Sequence, residues 1–282
     1  MTARLRSGQA RGFAWHRVVA LARKDASELI RNPGAILPAV AMVFGSLVPA
    51  FLVIVGAPML AGESLEESGE FADQAANAVG IIPELAGMTG TALIQTFLFH
   101  QFSLMLLLVP IVAAMALATH AVIGEKQSKA LEPLLATPIS TLELLAAKTL
   151  TPFVFAVGLS WAAVAIYVLG AALVGEPGVW QALAGPRFAI MFGLVGPLAG
   201  MAALLTSVIV SSRASDPRSA QQLASLTILP VTAVFVAQLM GALVVGPAMM
   251  LGAAIGCLAL NGMLLWAGVR LFERDTILTR WR

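Results

Sequence analysis

The sequence predicts an all-α integral membrane protein. Six transmembrane helices are expected, with an N-terminal amphipathic interfacial helix and a short cytoplasmic helix between spans two and three. Three observations predict it. Of 282 residues, 59% are apolar and 11% charged, against roughly 45–50% and about 25% in an ordinary soluble domain. The mean hydropathy of +0.89 makes lipid the matching solvent, because a soluble globule of this composition would expose large apolar patches. Lysine and arginine also fall almost wholly on one side of the predicted crossings. At about 20–25 residues per crossing, the connections are too short for a second globular unit, so residues 1–282 are expected to form one transmembrane domain.

The first 35 residues are polar and basic, with no apolar core close enough to Met1 for a cleavable signal peptide. Within residues 14–32, Trp15, Val18, Val19, Ala22, Ala26, Leu29 and Ile30 recur at helical spacing, while Arg17, Lys24, Glu28 and Arg31 form the opposite stripe. That pattern suits a helix lying on the membrane surface. Asn32, Pro33 and Gly34 then end it and turn the chain into the bilayer. Apolar runs follow at 36–57, 93–120, 149–174, 188–211, 223–245 and 247–271. Only Gly246 and Pro247 divide the last two runs, which predicts a tight turn there. Trp15, Trp180, Trp266 and Trp281 read as headgroup anchors, and Trp161, deep in span three, as a packing residue.

Charge tests this parsing. Seven lysines and arginines precede span one, three lie between spans two and three, two between spans four and five, and four from Arg270 onward, so sixteen of seventeen share a face. The other face has Arg187 alone, and its first loop carries Glu63, Glu66, Glu67, Glu70, Asp73 and Glu84. The positive-inside rule then places both termini in the cytoplasm. The acidic loop, residues 59–92, reads as a solvated cap. The same rule accounts for the basic balance, with a net charge of +2, without a nucleic-acid partner.

Several chemistries are excluded. Cys257 is the single cysteine, so the chain has no internal disulfide and no cysteine cluster for a metal. His16, His100 and His120 lie in different segments, and neither H-E-x-x-H nor G-x-S-x-G occurs. No G-x-x-x-x-G-K-[ST] is present, so the chain is not expected to be an enzyme by itself or to bind nucleotide by that route. All charges fall outside the predicted apolar cores, which argues against ion coupling at midplane. The candidate polar residues for a pathway are His100, Gln101 and Asn261, with interhelical hydrogen bonding as their simpler use. Gly196 with Gly200 and Gly252 with Gly256 have G-x-x-x-G spacing, which suits close helix approach or a dimer face. Pro110, Pro197 and Pro230 are expected to bend spans two, four and five. An ion-coupled carrier or channel, or a membrane assembly protein without transport of its own, stays open at this level, beside a permease driven by a separate ATPase.

The loop from Gly124 to Lys148 carries more information. Glu125 and Lys129 are spaced for an i,i+4 pair, Leu131, Leu134 and Leu135 form a small apolar face, and Pro133 and Pro138 limit helix length. A short helix over 124–138 is expected. Ser140 and Glu143 then make a capping box that starts the helix leading into span three.

In order, Glu125, Leu131, Glu132, Leu134, Leu135, Thr137, Pro138, Glu143, Leu144 and Lys148 resemble the inner loop of the ABC-2 type permease family, the membrane subunits of ABC exporters. Arg23-Lys24-Asp25 through Arg31-Asn32-Pro33 resembles that family's N-terminal amphipathic helix. Ser211-Ser212-Arg213 with Arg218 to Gln222 resembles its inner loop before span five, and Leu271 through Trp281 its basic tail. The resemblance implies that Glu125, Lys129, Leu131, Glu132, Leu134, Leu135, Thr137 and Pro138 dock on a cytoplasmic ABC ATPase subunit. It further implies that ATP and Mg are held by that partner, that a second permease chain pairs with this one, a homodimer being the simplest form, and that the direction is export across the plasma (inner) membrane.

Overall fold

A computed structural model describes residues 14–62, 64–69, 71–127, 141–213 and 217–271. Among them there is no strand, and six helices are long and apolar enough to cross a membrane: Pro33–Ala61, Gly90–Ala121, Ala146–Val174, Pro186–Ser211, Gln221–Leu239 and Pro247–Arg270. They are numbered here as spans one to six.

The first helix, Trp15–Ile30, ends where Asn32 takes an extended conformation and its side chain accepts from Gly34 N–H, with Pro33 at the first position of span one. Asparagine satisfies one of the donors a helix start leaves open, and proline there has no N–H to lose. Val18, Ala22, Asp25 and Leu29 form its buried stripe, at i, i+4, i+7 and i+11. Trp15 and Val19, from the same apolar set, lie exposed beside this stripe. The stripe turns toward the base of span three, so protein covers this face of the helix.

Span two is the centre of the fold. Within its apolar window 94% of residues are buried, against 33% in span one, 22% in span three and 11% in spans five and six. Spans one, three, four and five surround it, and span six packs on the outer side of span four. Such an arrangement suits the sequence, since span two holds Gln95, Thr96, His100, Gln101 and Ser103, which lipid would not solvate.

Four spans are irregular, each beside a proline; in span five the irregularity is the 3₁₀ turn Ser225–Ile228 just before Pro230. Span two breaks at Leu107, between helices Gly90–Leu106 and Leu108–Gln127, because Pro110 cannot donate to the carbonyl four residues earlier. The Ser46 hydroxyl of span one lies 3.0 Å from the Met105 carbonyl at this break. Spans one and four each contain a π-helical turn, Leu52–Gly56 and Met191–Val195, followed by Pro58 and Pro197. Within the second turn Gly196 N–H donates to Met191 O. In that register the Phe192 carbonyl would next take Pro197, which has no N–H. The Trp161 indole Nε1 donates to it instead, at 3.1 Å.

Two expectations need correction. Span five ends at Leu239, six residues earlier than the apolar run, and a non-helical stretch from Met240 to Gly246 replaces the tight turn. Gly241, at φ +68°, takes the left-handed conformation that closes the helix. The acidic loop is more than a solvated cap. Its helices Leu65–Ser68 and Ala72–Ala78 and the turn Pro83–Leu85 bury Leu65, Ala75, Ala78, Ile82 and Leu85 in the main core.

Candidate functional site: the first-helix clamp and the mid-membrane core

Asp25 lies on the buried stripe of the first helix and Lys148 at the start of span three, each almost fully buried. Lys148 Nζ donates to both carboxylate oxygens, at 3.0 and 2.8 Å. One turn along, Thr151 Oγ1 donates to Ala22 O at 2.9 Å. The contacts run in opposite directions along the two helices, so they fasten the first helix antiparallel to the base of span three. Lys148 is therefore inside a packed interface rather than in an open loop. An acid at i+7 on an apolar stripe was the signal in the sequence, for such a residue needs a buried partner.

Toward the other end, the Tyr167 hydroxyl donates to Phe99 O at 2.7 Å, and the rings of Phe51, Phe99 and Tyr167 meet edge to face at 5.5–5.8 Å. Phe188 stacks on Tyr167, and Phe192 meets Phe188 at 4.6 Å. Beside this cluster lies Arg187, 2% exposed. Read from the sequence as an outer-face charge, it is enclosed by protein at the start of span four. Its N–H donates to Glu84 Oε1 at 3.3 Å, where a carboxylate complements the helix N-terminus.

His100 and Gln101 are buried on span two at this end. Among the described residues, His100 Nε2, Gln101 Nε2, Gln238 Oε1 and the Nε and Nη1 of Arg187 have no hydrogen-bond partner. Gln95 accepts from Glu176 N–H at 2.8 Å. Asn261 sits apart from them on span six, where Nδ2 donates to Leu198 O at 2.9 Å and ties spans six and four together.

One turn beyond Gln101, a cavity of about 370 Å³ opens among spans two, four, five and six. Leu104, Leu107 and Ile111 form one wall at the break in span two, and Met191 and Val195 another at the π turn. None of His100, Gln101 and Asn261 lines it. Gly196 and Gly200 do not offer an outer face for pairing. A methyl group at Gly200 would lie 3.3 Å from Pro110 Cβ and its carbonyl oxygen, so these glycines let span four approach span two within the chain. Gly252 has open space around it, and Gly256 lines the cavity.

Residues 82–251, from the approach to span two to the first turn of span six, match the family described as ABC-2 family transporter protein. The chain belongs to that family. A comparison with curated proteins gave no match. This ABC-2 protein is thus a multi-pass membrane permease component of an ABC transporter, and its family is not catalytic by itself. Of the loop residues expected to dock, Glu125 lies on the helix Leu108–Gln127, which prolongs span two beyond the apolar core. Lys129, Leu131, Glu132, Leu134, Leu135, Thr137 and Pro138 lie outside the described residues. On the far side of that segment, the helix Thr141–Val174 carries Lys148 into the clamp with Asp25.

Proposed function

We propose that this ABC-2 protein is the permease subunit of an exporter, moving its cargo with energy from ATP hydrolysed on a separate cytoplasmic ATPase subunit. The observation that carries the reading is the family match over residues 82–251, which includes the whole inner loop from Glu125 to Pro138. In this reading that loop docks on the ATPase through Leu131, Leu134 and Leu135, and ATP and Mg belong to the partner. Both termini face the cytoplasm of a plasma (inner) membrane, and two permease chains, the same gene product in the simplest case, enclose the pathway.

The geometry suggests how motion would travel. Span two extends toward the loop as a helix and span three leaves it as one, so displacement of the loop reaches both. The clamp adds the first helix to span three as a single body. Span two is enclosed on nearly every side, so it cannot shift without moving spans one, three, four and five, and the break at Leu107 offers a bending point. Through these contacts a push at the loop would alternate access to a central route.

Co-purification with the candidate ATPase, followed by ATP turnover in lipid nanodiscs, tests the reading. The native chain is expected to retain the ATPase, and Leu134→Asp with Leu135→Asp to lose it while keeping the native size-exclusion profile. A native chain that is folded and inserted yet retains no ATPase would overturn the proposal.

A further inference from the structure

We propose that the mid-membrane cavity is a lateral binding site for one acyl chain, reached from the bilayer between spans five and six. Its lining comes from the middle of the crossings: residues 104–111 of span two, 191–202 of span four, 227–234 of span five and 249–260 of span six. It therefore lies at hydrocarbon depth. At about 370 Å³ it falls within the range of small-molecule sites, about 300–1,000 Å³.

The wall dictates the chemistry of the occupant. It bears no charged group, and its one hydroxyl, that of Thr227, donates to Ala224 O at 2.8 Å within its own helix. A ligand with a polar group inside would lose that group's hydrogen bonds, so an amphiphile must leave its headgroup outside and insert only its tail. Apolar cavities also stay dry, and the fluid bounding this one is the hydrocarbon of the membrane. Spans five and six barely touch each other, being joined through the stretch from Met240 to Gly246, which leaves a side opening. Ala199, Ala202, Ala253 and Gly256 make the recess, while Met191 and Met249 supply flexible walls that adapt to a tail of variable conformation. A second copy of the chain would cover the opening, whereas a single flexible tail also fills the recess behind it. The inference rests on the membrane fold alone and stands or falls separately from ATPase coupling.

Photolabelling of the full chain in nanodiscs tests it. One arm carries a trace of phosphatidylglycerol with a diazirine on its palmitoyl chain, the other diazirine-bearing palmitic acid, and peptide mass spectrometry locates the label on span six. The cavity face, Met249, Met250, Ala253 and Cys257, is expected to take about tenfold more label than Leu251, Ile255 and Leu258 on the same helix, a preference of about 1.4 kcal/mol. Ala253→Phe, or Ala199→Leu from span four, should reduce it to the level of the other face, while Leu258→Phe leaves it unchanged. Labelling by the phospholipid identifies a bilayer lipid as the source and labelling by the acid alone a free amphiphile; either supports the site. Equal labelling of the two faces, or enrichment that survives both filling substitutions in protein of native size-exclusion profile, overturns it. So does disulfide formation between the Cys257 residues of two copies with no label on the cavity face.

Discussion

Replacing Lys148 by methionine keeps the length and apolar stem of the side chain and removes the charge that faces Asp25. Both side chains are less than a tenth exposed and their atoms lie 2.8 Å apart at the closest. Breaking a buried pair by removing one partner costs about 3–5 kcal/mol, because the remaining charge loses its main compensation. Against this, Val18 and Leu29 hold the helix Trp15–Ile30 in place with about 1.5–3 kcal/mol each on full burial, and both are nearly fully buried. The two quantities are of equal size, so the helix should detach while the six spans stay folded. Hydrogen–deuterium exchange in nanodiscs reads this directly: Lys148→Met should lose most amide protection over residues 15–30 and little in span two. The double variant Asp25→Leu with Lys148→Met should recover it, since replacing a whole buried pair with apolar groups is often neutral or stabilising. Native protection over 15–30 in Lys148→Met would refute the reasoning, for it would mean that apolar contact alone holds the helix.

Gly170→Ala would drive a methyl group to 2.8 Å from Phe51 Cε1, in a ring confined by Phe99 and Tyr167, and a loss of about 1–3 kcal/mol should appear as a lower thermal midpoint in detergent. Gly200→Leu should lower it further, since the nearest atoms include Pro110 backbone at 3.3 Å, which cannot swing aside as a side chain can. Trp161→Phe removes the donor to Phe192 O and should cost about 0.5–1.5 kcal/mol, with exchange rising at the π turn of span four. In the acidic loop, Ser64 N–H and hydroxyl hold the Glu67 carboxyl below the usual carboxylate range. The stabilisation of the short helix Leu65–Ser68 is thus present above the ordinary carboxylate pKa and lost as pH falls through the lowered one; exchange over 65–68 should rise in acid, Ser64→Ala, which keeps the backbone donor, should weaken the dependence, and Glu67→Gln should abolish it.

The crossings were legible because lipid imposes a length and a polarity that few sequences mimic, and the asymmetry of lysine and arginine fixed the pairing of loops. Most predicted span ends lie within four residues of those observed. Span five is the exception, since Val244 and Val245 continue the apolar run after Gly241 has already closed the helix. Hydropathy cannot distinguish a buried apolar loop from a helix end. The G-x-x-x-G spacing at Gly196 was visible, but its partner, Pro110, is 86 positions away in the chain, and spacing within one helix says nothing about which neighbour meets it. Asp25 was readable in principle as an acid on an apolar stripe. Arg187 was not, because a basic residue next to a span looks the same from the sequence whether water or protein surrounds it. The residues of the inner loop were chosen by resemblance, and those from Lys129 to Pro138 lie outside the described residues.

The enclosure of span two has a consequence for biosynthesis. A membrane protein emerges from its N-terminus, so span two enters the bilayer before spans three, four and five exist to surround it. Until they arrive, Gln95, His100, Gln101 and Ser103 face hydrocarbon or whatever polar partner is at hand, and the helix is the least settled member of the unfinished chain. A nascent chain halted after span two should accordingly be a substrate for membrane quality control, and one halted after span five should escape it, even though both contain every residue of the helix that is being judged.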